Sequence, residues 1–102
     1  MSNRIFTYFR DRRIKSQFTK YRQLLLYSLT VEKDVSFIND YLRHIKTLDE
    51  IEILYNKKDR KLLTQIIESE SRSYGWSYLP NEYGGKVESA FGNLKKLIIV
   101  KT

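Results

Sequence analysis

Side chains that could carry out catalysis are few in this sequence. His44 is the one histidine, and the chain has no cysteine. A general base needs a partner that orients it, and the spacing offers none, so His44 is predicted to be a surface or boundary residue. Glu68 and Glu70 are two residues apart on a predicted helix and do not share a face. The chain is expected not to be an enzyme, with no catalytic residue, cofactor or metal, although a small basic ribonuclease using Arg, Lys, Tyr and Glu stays open.

Positive charge is concentrated in the first part of the chain. The formal net charge is +7. Residues 1–29 hold seven Lys or Arg against one acid, whereas residues 30–102 hold twelve against eleven. This asymmetry indicates an anionic partner, although a basic helix that only confers solubility would have the same composition. The candidate partner-binding cations are Arg10, Arg12, Arg13, Lys15, Lys20 and Arg22, with a secondary basic cluster of Lys57, Lys58, Arg60 and Lys61.

A second candidate surface is rich in aromatic residues. Residues 73–83 read SYGWSYLPNEY, and Trp and Tyr dominate the hot spots of protein interfaces because they bury large areas with few rotatable bonds. The candidate partner-binding residues here are Tyr74, Trp76, Tyr78 and Tyr83. Tyr78 and Tyr83 are predicted to be exposed. Trp76 either plugs the end of the fold, which we favour, or anchors a partner.

Apolar residues recur at helical spacing along the chain. The first stripe consists of Ile14, Phe18, Tyr21, Leu25 and Leu29, with Phe6 and Phe9 extending it upstream. It predicts a helix over about residues 3–28. The second stripe consists of Val31, Val35, Ile38, Leu42 and Ile45. Because the two stripes are out of phase, a break is predicted near Leu29 and Thr30, with Thr30 as the N-cap. No Gly or Pro marks the break, so one long helix is the alternative.

The second half of the chain predicts two or three more helices. Residues 47–50 have the spacing of a capping box, so a short helix is expected to follow, although residues 50–55 also alternate like a strand. A turn is predicted at residues 56–58, and Asp59 is predicted to cap a helix that ends with Gly75 at the left-handed C′ position. A loop over residues 76–85 then precedes the last helix. Within that helix, Gly92 is expected to mark a close helix contact.

These elements predict an all-α fold, a small four- to five-helix bundle, as a single helical domain over residues 1–102. An extended segment near residues 50–55 or at the C-terminus is the alternative. No window approaches the roughly 20 apolar residues of a membrane span, and the first residues do not resemble a secretory signal. The expected location is the cytoplasm.

In size and helical pattern the chain is similar in kind to small inhibitor proteins such as toxin-immunity proteins and phage anti-defence proteins. This analogy of type predicts a non-enzymatic protein-binding protein that occludes an acidic surface of its partner, for example a toxin or a nuclease. The alternative is a small basic DNA- or RNA-binding protein that contacts phosphates through its N-terminal helix. The oligomeric state is not predicted.

Overall fold

The protein consists of four α-helices in this computed structural model, which describes the backbone of residues 2–76 and 81–99 and the side chains of residues 8–73 and 85–99. The helices are α1 (Ser2–Val31), α2 (Val35–Asn56), α3 (Arg60–Trp76) and α4 (Asn81–Ile98). No strand occurs within these ranges, so the predicted helical bundle is confirmed. The extended segment near residues 50–55 is wrong because these residues lie in α2. An extended C-terminus is not confirmed, since α4 includes Ile98 and residues 100–102 are outside the described part.

The helices form an elongated bundle that measures 51 × 22 × 20 Å. Helix α1 packs between α2 and α4, and α3 packs on α2 with a smaller contact to α4. Short connections make sequential helices antiparallel. None of the helices in the described ranges is both long enough and apolar enough to cross a membrane. The buried apolar core consists of Ile14, Phe18, Tyr21 and Leu25 of α1, Tyr41, Leu48 and Ile51 of α2, Leu63 and Ile67 of α3, and Val87, Ala90, Phe91, Leu94 and Ile98 of α4.

The break between α1 and α2 exists, but it lies later than predicted. The hydroxyl of Thr30 donates to the carbonyl oxygen of Tyr27 inside α1 at 2.7 Å, so Thr30 is not an N-cap. The N-cap of α2 is Asp34, whose carboxylate accepts from the backbone N–H and the hydroxyl of Ser36. These hydrogen bonds lower the pKa of Asp34, the one from the Ser36 hydroxyl most strongly. The side-chain cap therefore sets the start of α2.

The apolar stripe predicted for the second helix is in the wrong register. Val35 and Leu42 are exposed, whereas Tyr41, His44, Leu48 and Ile51 are fully buried. The true stripe steps by three, four and three residues and continues through residues 47–50, so the predicted capping box lies inside α2. A stripe that includes tyrosine and histidine has a weaker hydrophobic signal than one of valine and leucine, which explains the wrong register.

The turn between α2 and α3 agrees with the prediction. The backbone N–H of Lys58 donates to the carbonyl oxygen of Tyr55, and that of Asp59 donates to Leu54, both at 3.1 Å. This pair of bonds is the Schellman motif, and it places Lys58 at the C′ position with a φ of 60°. The carboxylate of Asp59 accepts from the backbone N–H of Leu62, which confirms Asp59 as a helix cap.

The glycines of the second half do not have the predicted roles. Gly75 lies inside α3 rather than at a left-handed C′ position, and α4 begins at Asn81 rather than near Gly85, so helix replaces much of the predicted loop. Residues 77–80 are outside the described part. A Cβ atom at Gly92 would meet nothing within 4 Å, so this glycine does not mark a close helix contact.

Candidate functional site

An open groove runs between the antiparallel helices α1 and α4. It consists of two adjoining hollows of about 500 and 670 Å³ that share Gln17, Lys20 and Asn93. We call it the α1/α4 groove. It is lined by Phe9, Arg12, Arg13, Ser16, Gln17, Lys20 and Leu24 of α1 and by Gly85, Lys86, Ser89, Ala90, Asn93, Lys96 and Leu97 of α4.

Helical spacing explains how the basic residues of α1 separate into two sets. Relative to the buried stripe through Ile14 and Phe18, Arg13 and Lys20 lie on the side of α1 that faces α4, seven residues apart. Lys15 and Arg22, also seven residues apart, lie on the side that faces α2. The burial of one apolar stripe therefore directs Arg13 and Lys20 toward the groove and Lys15 and Arg22 away from it.

Cations dominate the α1/α4 groove. Among its described lining residues, five are Lys or Arg and none is Asp or Glu. On α4, Glu88 lies seven residues before Lys95, so the two share the side of the helix that faces α3, where Lys95 contacts Ser71 and Glu68. No carboxylate of the described part forms a salt bridge with Arg12, Arg13 or Lys20. The side chains that line the groove therefore present charge of one sign.

The walls of the groove are fixed by contacts between α1 and α4. The side-chain amide nitrogen of Gln17 donates to the carbonyl oxygen of Ala90 at 3.0 Å. At one end, the guanidinium group of Arg10 donates to the carbonyl oxygens of Leu97 and Ile98 at 3.3 and 3.2 Å. A cation at the carbonyls of the last helical turn also stabilises the negative end of the helix dipole. Arg10, a candidate binding residue, thus lies against the end of α4.

Two other candidate cations, Arg22 and Lys15, form ion pairs on the side of α1 that faces α2. Arg22 pairs with Asp49 at 2.7 Å and with Glu52 at 2.9 Å. Burial alone would lower the pKa of Arg22, but the hydrogen bonds and charges of the two carboxylates raise it above its ordinary value. Lys15 pairs with Asp11 at 3.3 Å. Both cations are on the face of α1 away from the groove.

Asp11 also accepts a hydrogen bond from the hydroxyl of Tyr55 at 2.5 Å, which links α1 to α2. This bond is the main cause of the lowered pKa of Asp11, and Lys15 adds to it. Burial raises the pKa of Tyr55 to about 12, with the hydrogen bond to Asp11 as the second cause. The single acid among the first 29 residues therefore helps to join the helices and lies outside the groove lining.

The remaining candidate residues are not brought into the groove. The secondary cluster of Lys57, Lys58, Arg60 and Lys61 is exposed around the α2–α3 turn, and none of the four is among the residues that line the groove. The side chains of Tyr74, Trp76, Tyr78 and Tyr83 are outside the described part, so their predicted exposure or burial stays a prediction. The groove adjoins this segment in sequence, because Gly85 lines the groove and lies two residues after Tyr83.

Sequence reasoning missed the α4 wall of the groove. Lys86, Ser89, Asn93 and Lys96 follow one another at spacings of three, four and three residues, which is a polar stripe next to the apolar one. That stripe is visible in the sequence, but nothing local shows that it faces the basic side of α1. Phe9 was also misassigned, because it is half-exposed at the groove edge and does not extend the core stripe.

The prediction that His44 is a surface or boundary residue is wrong. Its side chain is fully buried, and its Nδ1 atom lies 3.2 Å from Oε2 of Glu70, which is also buried. The pair joins α2 to α3 and is not among the residues that line the groove. The described residues contain no cluster of three or more His, Cys, Asp or Glu side chains arranged to hold a metal ion.

Compared with known proteins, the chain matches no family model, no curated protein and no solved structure.

Proposed function

We propose that this protein is a non-enzymatic nucleic-acid-binding protein that holds a strand in the α1/α4 groove. The observation that carries the proposal is the meeting of cations from two helices, distant in sequence, in one groove whose described lining includes no acid. Neutralising phosphates releases counterions, and this term supplies most of non-specific nucleic-acid binding. Phe9 at the groove edge adds an aromatic surface of the kind on which bases stack.

The groove is long enough to contact more than one phosphate. Lys20 and Arg12 are eight residues apart on α1, which corresponds to about 12 Å along the helix axis. Lys86 lies at the Lys20 end of the groove and Lys96 at the Arg12 end. If about four phosphates of a single strand are neutralised, the apparent affinity falls about 50-fold between 50 and 200 mM salt.

The proposal is tested by fluorescence anisotropy of labelled 20-nucleotide DNA and RNA titrated with the protein at about 50 and 200 mM salt. We expect saturable binding at the lower salt concentration and a steep, linear dependence of the logarithm of the affinity on the logarithm of salt. No binding at the lower concentration would contradict the proposal. So would an affinity that does not change with salt.

A second candidate function is inhibition of a protein partner by occlusion of an acidic surface, as in toxin-immunity or anti-defence proteins. The observation that favours it is the aromatic segment of residues 74–83, which ends two residues before Gly85 of the groove. The cations would then speed association, and aromatic anchors would slow dissociation. In a pull-down from the source cells followed by binding kinetics, Trp76→Ala would speed dissociation, whereas Arg13→Ala would mainly slow association.

A further inference from the structure

Two neighbouring aromatic side chains, Tyr8 and Phe9, are exposed on α1, and Phe9 lies at one end of the α1/α4 groove. Tyr8 is 57% exposed and Phe9 is 55% exposed. Their rings make an edge-to-face contact with centroids 5.7 Å apart. The guanidinium carbon of Arg12 lies 5.8 Å from the centroid of the Tyr8 ring. Phe9 lines the same hollow as Arg12, Arg13 and Lys96.

Core packing does not account for Phe9. The buried stripe of α1 begins at Ile14 and continues through Phe18, and both of these side chains are almost wholly buried. Phe9 lies on the other side of the helix, with Arg13 and Lys20. A large apolar ring left in water does not contribute the stabilisation that its burial would give. Its position among cations matches the arrangement by which proteins bind single strands, in which aromatic rings stack on bases while cations contact the backbone.

We infer that the groove selects single-stranded over double-stranded nucleic acid, with Phe9 stacking on an unpaired base while Arg12, Arg13 and Lys96 contact the adjacent phosphates. This inference rests on the proposed function. In a duplex, both faces of each base are covered by its neighbours, so a ring on a helix surface has no free base to stack on. The cations alone would bind either form, and the ring supplies the selectivity. Because stacking uses the face common to all bases, the groove has little sequence preference.

The test compares the affinities of the whole protein for a 12-nucleotide single strand, for the duplex of the same sequence, and for a 12-nucleotide strand with abasic sites. We expect the single strand to bind at least about 10-fold tighter than the duplex. Phe9→Ala should lower single-strand affinity by about 5- to 160-fold, the range for loss of one stacked base. Its effect on duplex affinity should be much smaller, because the duplex has no free base face for the ring to stack on. Phe9→Trp should keep single-strand binding, because it keeps an aromatic face.

Leu62→Ala is the matched control, since Leu62 is a similarly exposed apolar residue, 48% exposed, on α3 away from the groove. It should change none of the affinities. The wild-type protein on the abasic strand should bind like Phe9→Ala on the intact strand. Equal affinity for single strand and duplex, with no effect of Phe9→Ala, would overturn the inference and leave the proposed function standing. Failure of the wild-type protein to bind any of the three would overturn the proposed function itself.

Discussion

The Nδ1 atom of His44 lies 3.2 Å from Oε2 of Glu70, and both side chains are buried between α2 and α3. Two polar groups in the core of so small a bundle are costly to desolvate unless they contact each other. Tyr41 and Leu48 flank His44 on the same buried stripe of α2. The contact therefore joins α2 to α3, and losing either member alone leaves the other buried without it.

We predict that His44→Ala lowers the free energy of unfolding by about 3 kcal/mol. The substitution leaves the Glu70 carboxyl group in the core without the imidazole and creates a cavity. The measurement is urea denaturation followed by circular dichroism. The double variant His44→Leu with Glu70→Met is the control, because replacing both members with apolar groups should recover most of the loss. A cost below about 1 kcal/mol for His44→Ala would show that the pair does not hold α2 against α3.

The triple variant with Arg12, Arg13 and Lys20 changed to Ala is predicted to lose nucleic-acid binding at about 50 mM salt. Its control is the triple variant with Lys57, Arg60 and Lys61 changed to Ala, which removes the same charge from the α2–α3 turn. If binding depends on the groove, the control keeps an affinity within a few-fold of wild type. Equal losses in both variants, measured by anisotropy, would mean that net charge and not the groove determines binding.

The hydrogen bond from Tyr55 to Asp11 predicts a dependence of stability on pH. The pKa of Asp11 is below its ordinary value of 3.8, mainly because of this bond. Its contribution to stability is therefore present above pH 3.8 and is lost as the pH falls through the lowered pKa. The pKa of Tyr55 is raised from 10.0 to about 12, so its contribution is present below pH 10 and is lost between pH 10 and about 12.

Tyr55→Phe should accordingly cost about 1 kcal/mol at pH 7 and progressively less below pH 3.8 and above pH 10. Urea denaturation of both proteins across this pH range measures the difference. Asp11→Asn serves as the control. It removes the titrating carboxylate, and with it the change in stability at acidic pH, while it keeps an oxygen that accepts from the Tyr55 hydroxyl. A difference that stays constant over the whole range would contradict the assignment.

Lys58→Gly is predicted to stabilise the protein by about 1 kcal/mol. Lys58 has a φ of 60° at the C′ position of the Schellman motif. A residue with a Cβ atom pays a steric cost in this left-handed conformation that glycine avoids. Lys57→Gly is the control: Lys57 is the C-cap with a φ of −78°, where glycine should bring no gain. An unchanged or lower urea midpoint for Lys58→Gly would count against the prediction.

The helical fold and a count of four to five helices could be predicted from the sequence, but the continuity of α2 through residues 47–55 and some of the helix faces could not. Periodicity identified the α1 stripe through Ile14 and Phe18, because four of its five members are strongly apolar and the fifth, Tyr21, keeps the helical spacing. On α2 the same reasoning chose Val35 and Leu42 and overlooked His44, since a histidine looks polar unless its partner is known. That partner, Glu70, is on another helix. The hydrophobic periodicity of a single helix cannot show that a polar residue is buried against a polar partner on another helix.

The candidate site could be predicted in part. Arg12, Arg13 and Lys20 lie in the groove, whereas Arg10 and Arg22 contact α4 and α2. Composition gives these cations equal weight, because it contains no information on which ones meet a carbonyl or a carboxylate across the bundle. The α4 wall was missed for the same reason. Which residues become binding candidates depends on how α1 and α4 face each other, and that is set by tertiary packing.

The α1/α4 groove draws its two walls from opposite ends of the described chain, residues 9–24 and residues 85–97. During translation, a nascent chain that has emerged only through α3 carries one wall and lacks the other. The groove exists only when α4 is docked on α1, with Arg10 against the carbonyls of Leu97 and Ile98. A chain truncated before α4 therefore keeps Arg12 and Arg13 of α1 but lacks the α1/α4 groove.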